Sequence, residues 1–296
     1  MRLSRFCTAC IVSVLALLFV APLGQKCMAQ GVSIAPLRVL FDGRTRSATV
    51  FLTNRSAETA TYRISLVNRR MLETGAIVAA EKAMEGEYFA DKIIRFSPRR
   101  VTIAPFSSQT IRLLARKPRG EYPENIEYRT HLAIRSIPVT PHLKDLESEE
   151  KLVAEGKLSV TAVATIETVI PIILRLGEPQ ATIKLENPNL VMKDPISGLP
   201  VLAVDMVRGG ERSVYGTLEI IHQSSGGKKT QLHMSRGLAV YFPTAKRTRI
   251  VTLKKANPQM LSSGQLIVRY KETEDMHGDQ ESELVIPLGK GLAQLQ

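Results

Sequence analysis

Arg38 stands in an apolar, strand-like run, "SIAPLRVLFDG", with no acidic neighbour before Asp42. In an ideal strand it shares a face with Val32, Ile34 and Leu40, while Leu37, Val39 and Phe41 take the other, so both faces are largely apolar. A guanidinium stays charged, and burying it unpaired costs several kcal/mol. Either its stem packs and its head reaches solvent, or the head awaits a carboxylate, which it can grip through two parallel hydrogen bonds. A second stretch, "GEYPENIEYRTHLAIRSIP", sets Glu127, Arg129, His131 and Arg135 on one strand face and Tyr128, Leu132 and Ile134 on the other. Laid beside the long strand expected at 158–177, that polar face would line a binding cleft.

Other chemistries find little support. His131, His142, His222, His233 and His277 are scattered, with no His-x-His or His-x3-His spacing, and all three cysteines (Cys7, Cys10, Cys27) lie in the first 29 residues. No metal site is therefore expected. The chain shows no G-x-S-x-G elbow and no phosphate-cradling glycine loop. Neither an enzyme nor a cofactor is expected. "RGGER", from Arg208 to Arg212, reads as a turn, and Asn54-Arg55-Ser56 fits both a turn and a glycosylation sequon.

The elements that must position these residues are strands. "ATVFLT" puts Ala48, Val50 and Leu52 on one face, "TYRISL" does so with Tyr62, Ile64 and Leu66, and "TIRLLA" with Ile111, Leu113 and Ala115. Turn signals separate them at Asp42-Gly43, Asn54-Arg55-Ser56, Ser97-Pro98 and Ala104-Pro105. Short alternating strands with frequent turns indicate a β-sandwich. Val139 to Gly156 is the most charged segment: Leu143, Leu146 and Leu152 are spaced for a weak helical stripe, while Pro141 and the acid cluster suit a loop. In the next strand Leu158, Val160, Ala162, Ala164 and Ile166 share a face, and Pro171, which removes a ladder donor, places that stretch at an edge or at a crossing between domains. "PVLAVDMV", "YGTLEII", "LHMSRGLAVYF", "RTRIVTL", "GQLIVRY" and "SELVIPL" supply a second sandwich, with hairpin turns at "SSGGKK" and "MHGDQ".

Arg2 and Arg5, the uncharged run from Cys7 to Gly24, and Ala29 as a small-residue exit predict a cleavable secretory leader over residues 1–29. Its loss leaves 267 of 296 residues and takes the formal net charge from +12 to +9, because Arg2, Arg5 and Lys26 go with it. No later stretch approaches the roughly 20 apolar residues of a membrane span, so no stable membrane insertion is expected. A basic chain can meet nucleic acid, anionic surfaces or acidic proteins. With 8 Phe, 7 Tyr and no Trp, it offers few stacking platforms, and nucleic acid is not an expected partner.

Four stretches, "VSIAPLRVLFDGRTRSATVFLTNRS", "SPRRVTIAPFSSQTIRLLAR", "EYRTHLAIRSIP" and "IPIILRLG", together with the looser "RGGERSVYGTLEI", resemble the periplasmic pilus-assembly chaperones, the PapD-like family of chaperone and usher pathways. The resemblance implies an all-β chain of two immunoglobulin-like β-sandwich domains arranged as an L around a cleft. Domain one, with the long loop 139–157 and a donor strand over 158–175, would span 30–177, and domain two 178–296. The implied function is a periplasmic chaperone that caps strand-deficient pilus or fimbrial subunits by β-strand addition and delivers them to an outer-membrane usher without ATP. Leu158, Val160, Ala162, Ala164 and Ile166 would form the donor face, although its alanines are smaller than the family's usual residues. Arg38 stands where the family anchors the subunit's C-terminal carboxylate. The usual second anchor, a lysine, is Pro171 here. Arg129, whose strand should pair directly with the donor, or Arg175, on the same face as Pro171, would replace it. Arg112, Glu127 and Asp275 match an interdomain salt-bridge network. The donor edge also leaves self-association open. The competing readings are a secreted immunoglobulin-like adhesin or structural subunit and a basic polyanion-binding module.

Overall fold

The computed structural model describes residues 31–117, 120–138 and 165–289. Among the described residues, eleven strands build the N-terminal half: β1 (Val32–Ala35), β2 (Val39–Phe41), β3 (Ser47–Asn54), β4 (Ala60–Val67), β5 (Arg69–Met71), β6 (Ile77–Ala79), β7 (Ile94–Ser97), β8 (Arg100–Ile103), β9 (Ser108–Ala115), β10 (Ile126–Ile137) and β11 (Glu167–Leu176). One sheet runs β1-β3-β9-β7, a second β2-β11-β10-β4-β8, and β5 and β6 form a separate hairpin. The alternation expected from sequence sets the inner faces. Val50, Leu52, Ile111 and Leu113 from one sheet meet Tyr62, Ile64, Leu132 and Ile172 from the other in a single core.

The C-terminal half repeats this plan with β12 (Ala181–Val191), β13 (Val201–Gly210), β14 (Val214–Gln223), β15 (Lys229–Val240), β16 (Lys246–Thr252), β17 (Gln265–Glu272) and β18 (Glu281–Pro287). Its sheets are β12-β13-β16 and β15-β14-β17-β18, around a second core that includes Leu202, Met206, Leu218, Val268 and Tyr270. Both expected hairpin turns occur, between β14 and β15 and between β17 and β18.

Two departures bear on the site. The run around Arg38 is not one strand. The chain leaves the first sheet after Ala35 and joins the second at Val39, so Pro36, Leu37 and Arg38 bridge the two sheets. Val39 and Phe41 still turn into the core. The β5–β6 hairpin, which periodicity does not single out, reaches the other sandwich. Thr244 Oγ1 donates to the Met71 carbonyl at 2.7 Å, and the Thr248 N–H donates to the Glu73 carbonyl at 2.8 Å.

Asn54 is wholly buried, which removes it as a glycan acceptor in the folded chain. Its Nδ2 donates to the carbonyls of Glu58, Ile103 and Ala104, and its Oδ1 accepts from Ser56.

Candidate functional site

β10 and β11 pair antiparallel, with Glu127 opposite Arg175, Arg129 opposite Ile173, His131 opposite Pro171 and Arg135 opposite Glu167. Tyr128, Leu132, Ile134, Ile170, Ile172 and Leu174 point into the core. By alternation Glu127, Arg129, His131, Arg135, Glu167, Pro171 and Arg175 occupy the opposite face, as the spacing of the β10 residues predicts.

Among the described residues, one edge of this floor is partly unpaired. The Ser136 N–H donates to the Ile166 carbonyl, so alternation turns the N–H and C=O groups of Glu167 and Val169 away from β10. Among the described residues no strand pairs with that edge until Ile172 meets Val39. Pro171 has no N–H to offer there. Ile166 stands at the threshold of β11, 50% exposed, with its N–H bonded to Ser136 Oγ at 3.0 Å. Leu158, Val160, Ala162 and Ala164 lie outside the described residues, as do the leader and the loop 139–157.

Arg38 lies one residue before the β2–β11 register and is therefore level with Pro171. Its guanidinium carbon sits 3.0 Å from the centre of the Tyr215 ring, and its Nη1 is buried with no hydrogen-bond partner. Arg129 is buried, donates to the Phe242 carbonyl and lies 4.8 Å from the centre of the Tyr241 ring, leaving its Nε unpartnered. Burial works against the Arg129 charge and lowers its pKa, while Glu127 and Tyr241 favour it. Burial raises the Tyr241 hydroxyl above its ordinary value, and Arg38 and Arg129 both oppose that rise. The two arginines thus share one aromatic neighbour.

Beside them, Arg69, Ile77, His131, Glu167, Pro171 and Tyr241 are among the residues that line a groove of about 410 Å³. Glu167 accepts from both Arg69 (3.0 Å) and Arg135 (2.8 Å). Burial, with Arg129 and Arg69 nearby, pushes His131 down to about 3, so it is neutral near pH 7.

Arg175 is placed differently. It is 6% exposed, its Nε faces Glu127 Oε2 at 3.4 Å, and its Nη1 donates to the Met276 carbonyl at 2.8 Å. Glu127 also accepts from the Ser213 N–H at 3.0 Å and from the Ser213 hydroxyl. Ser213 Oγ in turn accepts from the Phe242 N–H at 2.9 Å. Arg175 is therefore engaged in joining the sandwiches rather than free for a ligand.

Arg112 corrects the expected network. It is exposed, opposite Thr49 and Ser97, in the sheet that does not contain β10. Ile111 and Leu113 point into the core, which turns Arg112 outward, and the partner of Glu127 is Arg175. The Asp275 side chain lies outside the described residues; its backbone belongs to the short 3-10 turn Glu274–Met276.

Sequence reasoning missed Ser213, Tyr215 and Tyr241. "RGGER" does end in a turn, but its arginines are buried. Arg212 grips Glu272 with two bonds of 2.8 and 3.0 Å, and Arg208 donates to the carbonyls of Gly210, Arg212 and Thr244. Two arginines flanking a glycine pair at a sandwich junction were the available signal.

By fold the chain is an all-β protein of two immunoglobulin-like sandwiches. It matches no protein-family model and no curated protein sequence. Among solved structures it is similar to the class 5 fimbriae chaperone CfaA, at 15% identity over 87% of this chain and 100% of that one, with a TM-score of 0.43. It is also similar to the CupB2 chaperone of Pseudomonas aeruginosa, at 13% identity over 86% of this chain and 100% of that one, TM-score 0.42. The E. coli chaperone DraB is similar at 11% identity over 86% of this chain and 95% of that one, TM-score 0.44.

Proposed function

We propose that this protein is a periplasmic chaperone for pilus or fimbrial subunits. It adds its open β11 edge, continued by the segment from Leu158, to a subunit that lacks a strand, and passes that subunit to an outer-membrane usher without nucleotide. The observation that carries the reading is one juxtaposition. Among the described residues, a sheet edge with unpaired N–H and C=O groups runs toward half-buried Arg38, whose Nη1 is buried without a hydrogen-bond partner. An extended chain hydrogen-bonded along that edge would bring its terminal carboxylate to Arg38. Arg129 supplies the second positive charge, because Arg175 is engaged by Glu127 and Met276.

Co-expression with candidate strand-deficient subunits in the periplasm, followed by co-purification, tests the proposal. Recovery of soluble subunit should fall about tenfold or more in Arg38→Ala, as expected for losing a charge-assisted bidentate contact. The variant itself should remain folded. Failure to recover any such partner, or recovery unchanged by the substitution, would refute it.

A further inference from the structure

We infer that Tyr215, from the C-terminal sandwich, is the positioning residue for the Arg38 guanidinium, so that the carboxylate site is assembled from both sandwiches. The inference rests on the reading that Arg38 receives a C-terminal carboxylate. Arg38 lies in the crossing between β1 and β2, outside both sheet ladders. What meets its guanidinium is the face of Tyr215, 3.0 Å from ring centre to guanidinium carbon. The ring face takes up no N–H of the guanidinium, and Nη1 remains without a hydrogen-bond partner, so donors are left for a carboxylate fork.

The ring is itself held in place. Tyr215 is the second residue of β14, opposite Ala239. Its N–H donates to Glu272 Oε1 at 3.3 Å and its carbonyl accepts from the Thr273 N–H at 3.0 Å. The hydroxyl lies over Gly237, whose φ is +73°, and a Cβ there would come within 2.6 Å of the oxygen. Gly237 thus leaves the space that the ring occupies. Because the cation belongs to one sandwich and its platform to the other, affinity for a carboxylate depends on how the two are joined.

The probe is a labelled peptide of four Val-Thr repeats with two N-terminal lysines, made as the free acid and as the C-terminal amide. The wild-type protein should bind the acid more tightly, and Arg38→Ala should abolish that preference. Tyr215→Phe should keep it, since the stack survives. Tyr215→Leu and Gly237→Ala should lower affinity for the acid about three- to tenfold and leave affinity for the amide within about twofold. Full retention of the preference in Tyr215→Leu, alongside its loss in Arg38→Ala, would overturn the inference while sparing the carboxylate reading. An equal loss for acid and amide would show a merely structural role and overturn it too. Absence of any preference in the wild type would remove the carboxylate reading itself.

Discussion

Replacing Glu127 by alanine removes the carboxylate on which the junction converges. Glu127 is 1% exposed and accepts from the Ser213 N–H, the Ser213 hydroxyl and Arg175 Nε. The substitution leaves Arg175 buried with the Met276 carbonyl as its remaining partner and with Nη2, already unpartnered, beside it. Breaking a buried pair from one side typically costs about 3–5 kcal/mol, because an uncompensated charge remains. Against a total stability of roughly 5–15 kcal/mol for a domain, that is a large fraction. Urea unfolding followed by far-UV circular dichroism measures it. The single variant should lose about 3–5 kcal/mol, and its transition should separate into two, since Glu127 and Ser213 belong to different sandwiches. Adding Arg175→Met should restore a substantial part, because an apolar side chain of similar length removes the stranded charge. A loss below about 1 kcal/mol, the scale of a surface ion pair, would refute the argument. So would a double variant no more stable than Glu127→Ala.

Two further outcomes follow from the same sheet. His131 has a folded-state pKa pushed down from 6.5 to about 3, so the unfolded chain binds the extra proton between those values. Its contribution to stability is complete above pH 6.5 and is lost as pH falls, by about 1.4 kcal/mol per pH unit and roughly 2 kcal/mol by pH 5. His131→Gln should flatten that limb in urea titrations at pH 4 to 6, and an unchanged slope would count against a neutral buried imidazole. On the same sheet Arg63 lies directly opposite both Arg135 and Arg100, all three exposed. Like charges so placed repel, and opposite ones contribute roughly 0.2–1 kcal/mol per pair. Arg63→Glu should therefore raise the melting temperature by about 2–4 °C, and a lower value would contradict the register.

The faces of individual strands were legible because period-two alternation is local. Val50 and Leu52, Tyr62 and Ile64, Ile111 and Leu113 all turn into the first core as their spacing predicts. The polar face of β10 was legible for the same reason. What alternation does not carry is which strand lies opposite. The Glu127–Arg175 pairing depends on a register set across the long segment between β10 and β11, whose length says nothing of that register. Arg112 shows the complementary failure: its outward direction was implicit between Ile111 and Leu113, yet a match of position alone suggested a place in the interdomain salt-bridge network. Ser213, Tyr215 and Tyr241 become part of the site only when the second sandwich docks, and no periodicity encodes that contact.

The junction between the sandwiches gathers more guanidinium groups than carboxylates, and how each is compensated argues for a ligand. Arg175 has Glu127, and Arg212 has Glu272. Arg208 is satisfied by backbone carbonyls, one of them Thr244 in the loop that also carries Phe242. Arg129 takes the carbonyl of Phe242 and the face of Tyr241, and Arg38 takes the face of Tyr215. An aromatic face compensates a buried cation less fully than a carboxylate does, and unpartnered guanidinium nitrogens remain on both Arg38 and Arg129. The proposed carboxylate, placed between them, would offset the cost of leaving such groups dry. The two arginines that have neither an acidic partner nor full hydrogen bonding are also those that share Tyr241, beside the β11 edge that no described strand covers. Charge deficit and sheet edge thus both suit the occupant proposed above, an extended chain that ends in a carboxylate.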